Sequence, residues 1–372
     1  MGAYILYYHR IFSQRPAPDV TLPLFEWEMS YLKKHYQVLS LDKLLDYMNG
    51  KLVLERPAAA ITFDDGWFDN FVYAYPVLEK YGLKAAIFVS TGKIRPEKRV
   101  RPTLKDCWNG RVTLDALQKP KSVGESFLES LSGNLKEFLT WEELRVMQKS
   151  GTFLVQSHGI EHKSIFSGED IKGFIQGDPG WKIRSAAKDT RIGVPFYPMK
   201  SSLGGRAYYP DPSLNDYMAS YSAQKGRAEE CSEECSKEGC SKSEEDLMRE
   251  VERFRSSNPQ DSGKWETDDD MRKRILGELI ESRDKITSEI GVTPVHFCWP
   301  WGQYTDLGIN LAQDAGYHAC YTTKAGTVST TTDRYRVPRV STTGGKITFI
   351  KRGLIYTNSK ISKAYLFLSR RR

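Results

Sequence analysis

Ala58-Ala59-Ala60-Ile61-Thr62-Phe63-Asp64-Asp65-Gly66 is an apolar run that ends on two adjacent carboxylates and a glycine. A short apolar stretch without polar alternation predicts a strand buried on both faces, and the acids then lie at its C-terminal end. Successive side chains on a strand point to opposite faces, so both carboxylates serve one site only if the chain leaves the strand there. Gly66 has no Cβ and permits that turn. Two negative charges this close repel, and a cation that neutralises one while the other keeps a proton-accepting role relieves the repulsion. A plain Asp-Asp-Gly turn is the alternative reading.

Working outward, six more strand-like runs occur at Tyr4 to Tyr8, Lys84 to Val89, Thr152 to Gln156, Val295 to Trp299, Ala319 to Thr323 and Arg336 to Val340. Most are separated by helical patterns, which argues for parallel strands joined by crossovers. Thr140-Trp141-Glu142-Glu143 reads as a capping box opening a helix that Gly151 closes, and Ile275, Leu279, Ile286 and Ile290 form an apolar stripe before Gly291.

The run Thr152 to Val155 leads into Ser157-His158-Gly159-Ile160-Glu161-His162. Histidines four apart share a face in a helix, and a tight loop also converges them on one ion. Asp65, His158 and His162 together offer one oxygen and two nitrogens, leaving a coordination position open as catalytic zinc requires; ordinary surface histidines are the alternative. A third element, Phe297-Cys298-Trp299-Pro300-Trp301-Gly302-Gln303-Tyr304, places aromatic rings around a proline. It reads as a stiff platform for a sugar or as core aromatics, with Gly302 and Gln303 favouring an exposed turn.

In this order the three elements resemble the polysaccharide deacetylase family of metal-dependent carbohydrate esterases. The resemblance implies an α/β fold, a distorted (β/α)7 barrel with long insertions, with the site at the strand C-terminal ends. It implies Asp64 as general base, Asp65, His158 and His162 as ligands of a divalent metal, and Trp301 as donor of a backbone amide to the oxyanion. Zinc is the first choice of metal, with cobalt or nickel next. Gly159 stands where the family usually has Ser or Thr. Two further departures matter: Cys298 replaces the arginine that orients the base, and no histidine follows His318 to act as the late general acid. Both are similar to exopolysaccharide poly-N-acetylglucosamine deacetylases with permuted motif order, in which a histidine on the first strand is the acid. His9, in Tyr7-Tyr8-His9-Arg10, takes that place. Arg336 and Arg339 are candidates to replace the missing arginine. Trp299, Pro300, Tyr304 and Arg339 are expected to meet substrate.

The implied reaction removes N-acetyl groups from an amino-sugar saccharide, a polymer, an oligomer or a lipid-linked precursor, releasing acetate. An amidohydrolase acting on a small non-sugar amide and a catalytically weakened glycan-binding protein are the alternatives.

In the 372 residues, 1–167 and 270–345 are expected to form the barrel, 168–269 an insertion, and 346–372 a basic amphipathic segment. A shorter excess lies at about 94–139. Residues 229–246, almost entirely Glu, Ser, Lys and Cys, read as solvated helix or disorder. Cys231, Cys235 and Cys240 there lack a fourth ligand for structural zinc, so reduced thiols are expected. The net charge of +7 is dispersed and no aromatic-basic repeat occurs, which argues against nucleic acid. The exception is the tail, where Ile347, Phe349, Ile350, Leu354, Ile355, Ile361, Tyr365, Leu366 and Leu368 alternate with lysines before Arg370-Arg371-Arg372. It reads as the closing helix of the barrel or as a peripheral membrane contact. No secretory leader or membrane span is visible, and a cytoplasmic location, at the inner membrane face for a lipid-linked substrate, is expected.

Overall fold

The computed structural model describes residues 2–13, 20–230, 244–259 and 263–369. Strands β1 (Ala3–Tyr8), β2 (Ala58–Phe63), β3 (Ala85–Val89), β4 (Phe153–Ser157), β5 (His296–Cys298), β6 (Ala319–Tyr321) and β7 (Val340–Ser341) form a curled parallel sheet in the order β6-β5-β4-β3-β2-β1-β7. Every run expected from the sequence contributes a strand. A short strand, Gln37–Val38, adds to the start of β2.

Two seams shape the curl. Between β4 and β5 a single register pair, Phe297 with Ser157, holds the strands, and the Gln156 side chain accepts from the Val295 and His296 amides at 3.0 and 2.7 Å in place of ladder bonds. Beyond β6, Tyr321 bridges to Val337 in parallel, and the same stretch of chain then pairs Val340 with Leu6 of β1. That narrow closure makes the ring of a distorted (β/α)7 barrel.

Alternation explains why β2 reads as a continuous apolar run. Ala3, Ile5, Ala58, Ala60, Ala86 and Phe88 pack together on one face with Cys298 and Val337, whereas Tyr4, Leu6, Ala59, Ile61, Phe63 and Ile87 pack against the helices on the other. The alanines suit the narrow interior, where strands on opposite sides face each other. Helix Leu41–Met48, capped by Ser40, adds Leu41, Leu44 and Met48 to the inner cluster.

The Thr140 capping box opens helix Trp141–Lys149, and helix Asp268–Ile290 buries Ile275, Leu279 and Ile286 before Gly291 ends it in the left-handed region. Residues 94–139 carry helices Leu104–Trp108 and Val123–Leu131, and the second insertion carries short antiparallel ladders with helices Gly180–Ala186, Pro212–Glu230 and Glu244–Ser257. Helix Gly345–Tyr356 closes the barrel in part, with Phe349 edge-on to Trp27 and Tyr31 at 6.1 and 6.2 Å. Helix Ser359–Ser369 buries only Ser362. Cys107, Cys298 and Cys320 are free thiols, while Cys231, Cys235, Cys240 and Arg370 to Arg372 lie outside the described residues. Among the described residues no helix is long and apolar enough to cross a membrane.

Candidate active site

Three non-glycine residues among those described have positive φ: Asp65 (75°), His162 (54°) and Trp301 (55°). Each belongs to one of the three motifs, and each sits in a tight turn after β2, β4 or β5. Left-handed backbone at such residues costs on the order of 1–3 kcal/mol and persists where the surroundings over-determine it. At Asp65 it throws the second carboxylate to the same side as the first, as the doublet requires. Gly159 (φ 82°) shows why serine or threonine is absent: a Cβ there would lie 2.8 Å from the Glu278 Oε1. Glu278 instead holds the histidine loop, accepting from the Ile160 amide at 3.3 Å and from the Ser202 hydroxyl at 3.0 Å.

The turns converge Asp65, His158 and His162, all buried. His158 Nε2 is 3.4 Å and His162 Nε2 3.6 Å from Asp65 Oδ1. Two bonds of about 2.1 Å meeting at a tetrahedral angle span about 3.4 Å, so the spacing fits one zinc-sized cation. Asp65 Oδ1 is buried without a hydrogen-bond partner, a costly arrangement that a cation would satisfy. His158 Nδ1 lies 2.8 Å from the Cys298 carbonyl, which makes Nδ1 the donor and faces Nε2 toward Asp65. Trp67 Nε1 donates to the other oxygen of Asp65 at 3.0 Å and fixes the carboxylate. Burial pushes His162 down to about 4, which keeps it neutral and able to ligate near pH 7. Burial also works against the charge on Asp65, but His162 and His158 outweigh it and hold the carboxyl far below its ordinary range.

Asp64 occupies the other half of the turn and meets a different partner. Arg339 is fully buried and grips it with both arms, Nη1 to Oδ1 and Nη2 to Oδ2, each at 2.7 Å. The same guanidinium donates to the Thr62 hydroxyl at 3.1 Å, the Thr322 carbonyl at 3.0 Å and the Cys298 sulfur at 2.9 Å. Desolvation raises the Asp64 pKa, yet the arginine wins and holds it below the usual carboxylate range. Cys298 therefore leaves the space that an arginine from β5 would fill, and Arg339 enters it from the strand that closes the barrel. Arg336 is half-exposed and paired with Asp333 and Asp306.

Residues 52–187 match the family model for polysaccharide deacetylase. The likeness to that family is thus one of a segment that takes in the Asp64 and His158 motifs. YxkH of Bacillus subtilis (strain 168), whose own assignment as a polysaccharide deacetylase is provisional, is 40% identical over 86 residues; these are 23% of this chain and 30% of that protein. The fold is similar to three solved structures. The de-N-acetylase from Aggregatibacter actinomycetemcomitans superposes with TM-score 0.57 at 17% identity, over 94% of this chain and 99% of the other. The BpsB deacetylase domain from Bordetella bronchiseptica gives 0.54 at 16%, over 91% and 94%. IcaB from Ammonifex degensii gives 0.53 at 13%, over 96% and 97%.

His9 leaves the end of β1 half-buried, its ring edge-on to Tyr7 at 5.8 Å. Beside it Arg10 is buried in an ion cluster with Asp69 (2.9 Å) and Glu137 (2.7 Å) and lies 4.5 Å over the Trp67 ring. This ties the β1 turn, the Asp64 turn and the first insertion into one support.

The expected substrate platform needs correction. Trp299 is buried against Phe297 and Tyr304, Pro300 is buried, and Arg339 is committed to Asp64. Tyr304 is half-buried beneath Lys324 and Arg336, each 5.7 Å from its ring. The rings beside His162 are others. Trp301 stands edge-on to His162 at 4.9 Å, Phe127 tilts over it at 5.2 Å, and Trp181 stacks on Phe127 at 4.4 Å. Phe127 and Trp181 come from the two insertions. Sequence reading missed Phe127, Trp67 and Glu278 as site residues; Trp67, three residues after Asp64, was the accessible signal.

Proposed function

We propose that the protein is a metal-dependent deacetylase that removes N-acetyl groups from an amino-sugar saccharide. The observation that carries this reading is the buried Asp65–His158–His162 cluster, with its unpaired Asp65 oxygen, beside an Asp64 clamped by Arg339 in a polysaccharide deacetylase segment. A divalent cation at Asp65, His158 and His162, zinc first and cobalt or nickel next, supplies Lewis acidity toward the acyl oxygen and acidifies water. Asp64 accepts the proton of the water that attacks the N-acetyl carbon, and its ionised state is guarded by Arg339. The Trp301 peptide, fixed by its left-handed turn, is the donor for the oxyanion, preorganised before charge develops. His9 gives a proton to the departing nitrogen as the C–N bond breaks, leaving acetate and a free amine.

The experiment is acetate release from N-acetylglucosamine and N-acetylgalactosamine oligomers by protein stripped with chelator and resupplied with zinc or cobalt. Metal-restored release that Asp64→Asn abolishes, and that His9→Ala lowers by roughly 10²–10⁴, supports the reading. Silence across the panel with stoichiometric bound zinc refutes it.

We also propose contact with an anionic membrane surface. From Gly345 to Arg372 the sequence has eight Lys and Arg and no Asp or Glu. Ile347, Leu354, Phe367 and Leu368 are more than half exposed among these cations. Apolar and cationic side chains on one surface suit an anionic interface.

A further inference from the structure

The second insertion encloses a cavity of about 410 Å³ that has no part in the chemistry above. Its size is that of a small-ligand site, and its lining, mostly apolar with a few polar groups, has the same character. Phe166, Pro195 and Tyr208 line it, and so does Tyr209, a residue 48% exposed. Asn215 Oδ1 is buried there without a hydrogen-bond partner. The carboxylates in the wall, Asp189 and Asp216, are both held by Arg191 at 2.6 and 2.5 Å. Arg191 and Lys188, the latter also in the wall, together balance these two acids, and the lining suits an uncharged ligand with one apolar face and hydrogen-bonding edges.

Two elements join this cavity to the candidate active site. Helix Gly180–Ala186 carries Trp181 in its first turn, the ring 6.2 Å from His162, and its last residue Ala186 and the following Ala187 lie in the cavity wall. Along the axis that is about 9 Å at 1.5 Å per residue. Strand Ser164–Phe166 runs from just after His162 into the same wall.

We propose that the cavity is a distal saccharide subsite, which seats one sugar ring of a chain while the N-acetyl group of another ring reaches Asp64, Asp65, His158 and His162. The inference rests on the deacetylase reading and deepens it: the substrate is an oligomer or polymer, held by the insertion away from the reacting bond. A ring in the cavity stacks on Tyr209 and donates to Asn215 Oδ1. Free monomer forgoes both contacts.

The test uses Tyr209→Ala and Ala187→Phe, the second of which fills the cavity. For each protein, titration calorimetry measures binding of an N-acetylglucosamine pentamer and of the monomer, and acetate release gives the ratio of kcat/KM for pentamer over monomer. Pentamer affinity and this ratio are expected to fall roughly tenfold in both variants, the factor that loss of a single well-packed contact carries. Unchanged pentamer binding in both variants overturns the subsite. If the wild type binds pentamer but releases no acetate, the deacetylase reading fails, and the calorimetry still decides the cavity. Unchanged thermal midpoints show that the variants fold.

Discussion

Replacing Arg339 with alanine separates a positioning role from simple structural filling. Its guanidinium is fully buried and makes two 2.7 Å bonds to Asp64, so truncation leaves a buried carboxylate with the Cys298 thiol and His158 as its near neighbours. Breaking a buried ion pair from one side costs about 3–5 kcal/mol. Against a total stability of roughly 5–15 kcal/mol that is a large fraction, readable by urea unfolding at pH 7. The loss depends on pH with a definite sign. In the wild type the lowered Asp64 pKa contributes stability above the unfolded value, lost as pH falls through the folded one. Without Arg339, burial is opposed only by the weaker pull of His158 and His9, so the folded pKa is expected to rise above the unfolded value, and the cost fades as pH drops and the carboxyl protonates. The destabilisation is therefore expected to be largest at neutral pH and to shrink toward pH 4. Position 298 supplies the rescue, because its sulfur points at the same pair, 2.9 Å from Arg339 Nη2 and 3.8 Å from Asp64 Oδ2. Cys298→Arg placed on Arg339→Ala is expected to recover stability at pH 7 and the acidic limb of the rate profile together. A loss below about 1 kcal/mol for Arg339→Ala, the size of an ordinary substitution, refutes the reasoning. So does a double variant no better than the single.

Three other outcomes follow from named contacts. Trp67→Phe keeps the ring beside Phe138 but removes the 3.0 Å bond to Asp65, so zinc affinity measured by competition with a chelator is expected to fall about 10–100-fold with little change in unfolding; unchanged affinity would mean the tryptophan only packs. Glu28 is buried beneath Tyr8, and burial pushes its pKa up to about 8, so the fold loses stability as pH rises from the unfolded value near 4.5 to about 8. Glu28→Gln should therefore match the wild type at pH 5 and exceed it by a few kcal/mol at pH 9, and equal midpoints at both pH values would contradict the burial effect. Sedimentation with anionic vesicles is expected for the wild type, weakened by salt and lost in Ile347→Glu/Leu354→Glu; equal sedimentation with neutral vesicles would remove the electrostatic part.

Much of the barrel was legible because its determinants are local. The strands Ala3–Tyr8, Ala58–Phe63 and Ala85–Val89 are short apolar runs buried almost throughout, and Thr140, Gly151 and Gly291 mark helix ends by capping chemistry that acts within a turn. The helix of the tail that packs on Trp27 and Tyr31 was legible in the same way, since Phe349 recurs on an apolar face. Ring orientation in the third motif was not. Trp299 and Trp301 differ by two residues and read alike, yet the first is buried in the core and the second stands beside His162. The positive φ at Trp301 makes that difference, and it is set by the packed turn.

By itself the sequence picked out Asp64, Asp65, His158 and His162 as one candidate set, since Asp64-Asp65 and His158 come straight after a strand and His162 lies on the same short loop as His158. Tertiary structure alone decided what surrounds them. Arg339 meets Asp64 across 275 residues only because its strand closes the ring, so nothing local separates it from Arg336, which ends in solvent. Phe127 and Trp181 reach His162 from two insertions that contact each other only once the barrel has brought their ends together. Spacing along the chain encodes contacts within a turn or a strand, and partners chosen by ring closure or by the docking of insertions have no such spacing to read.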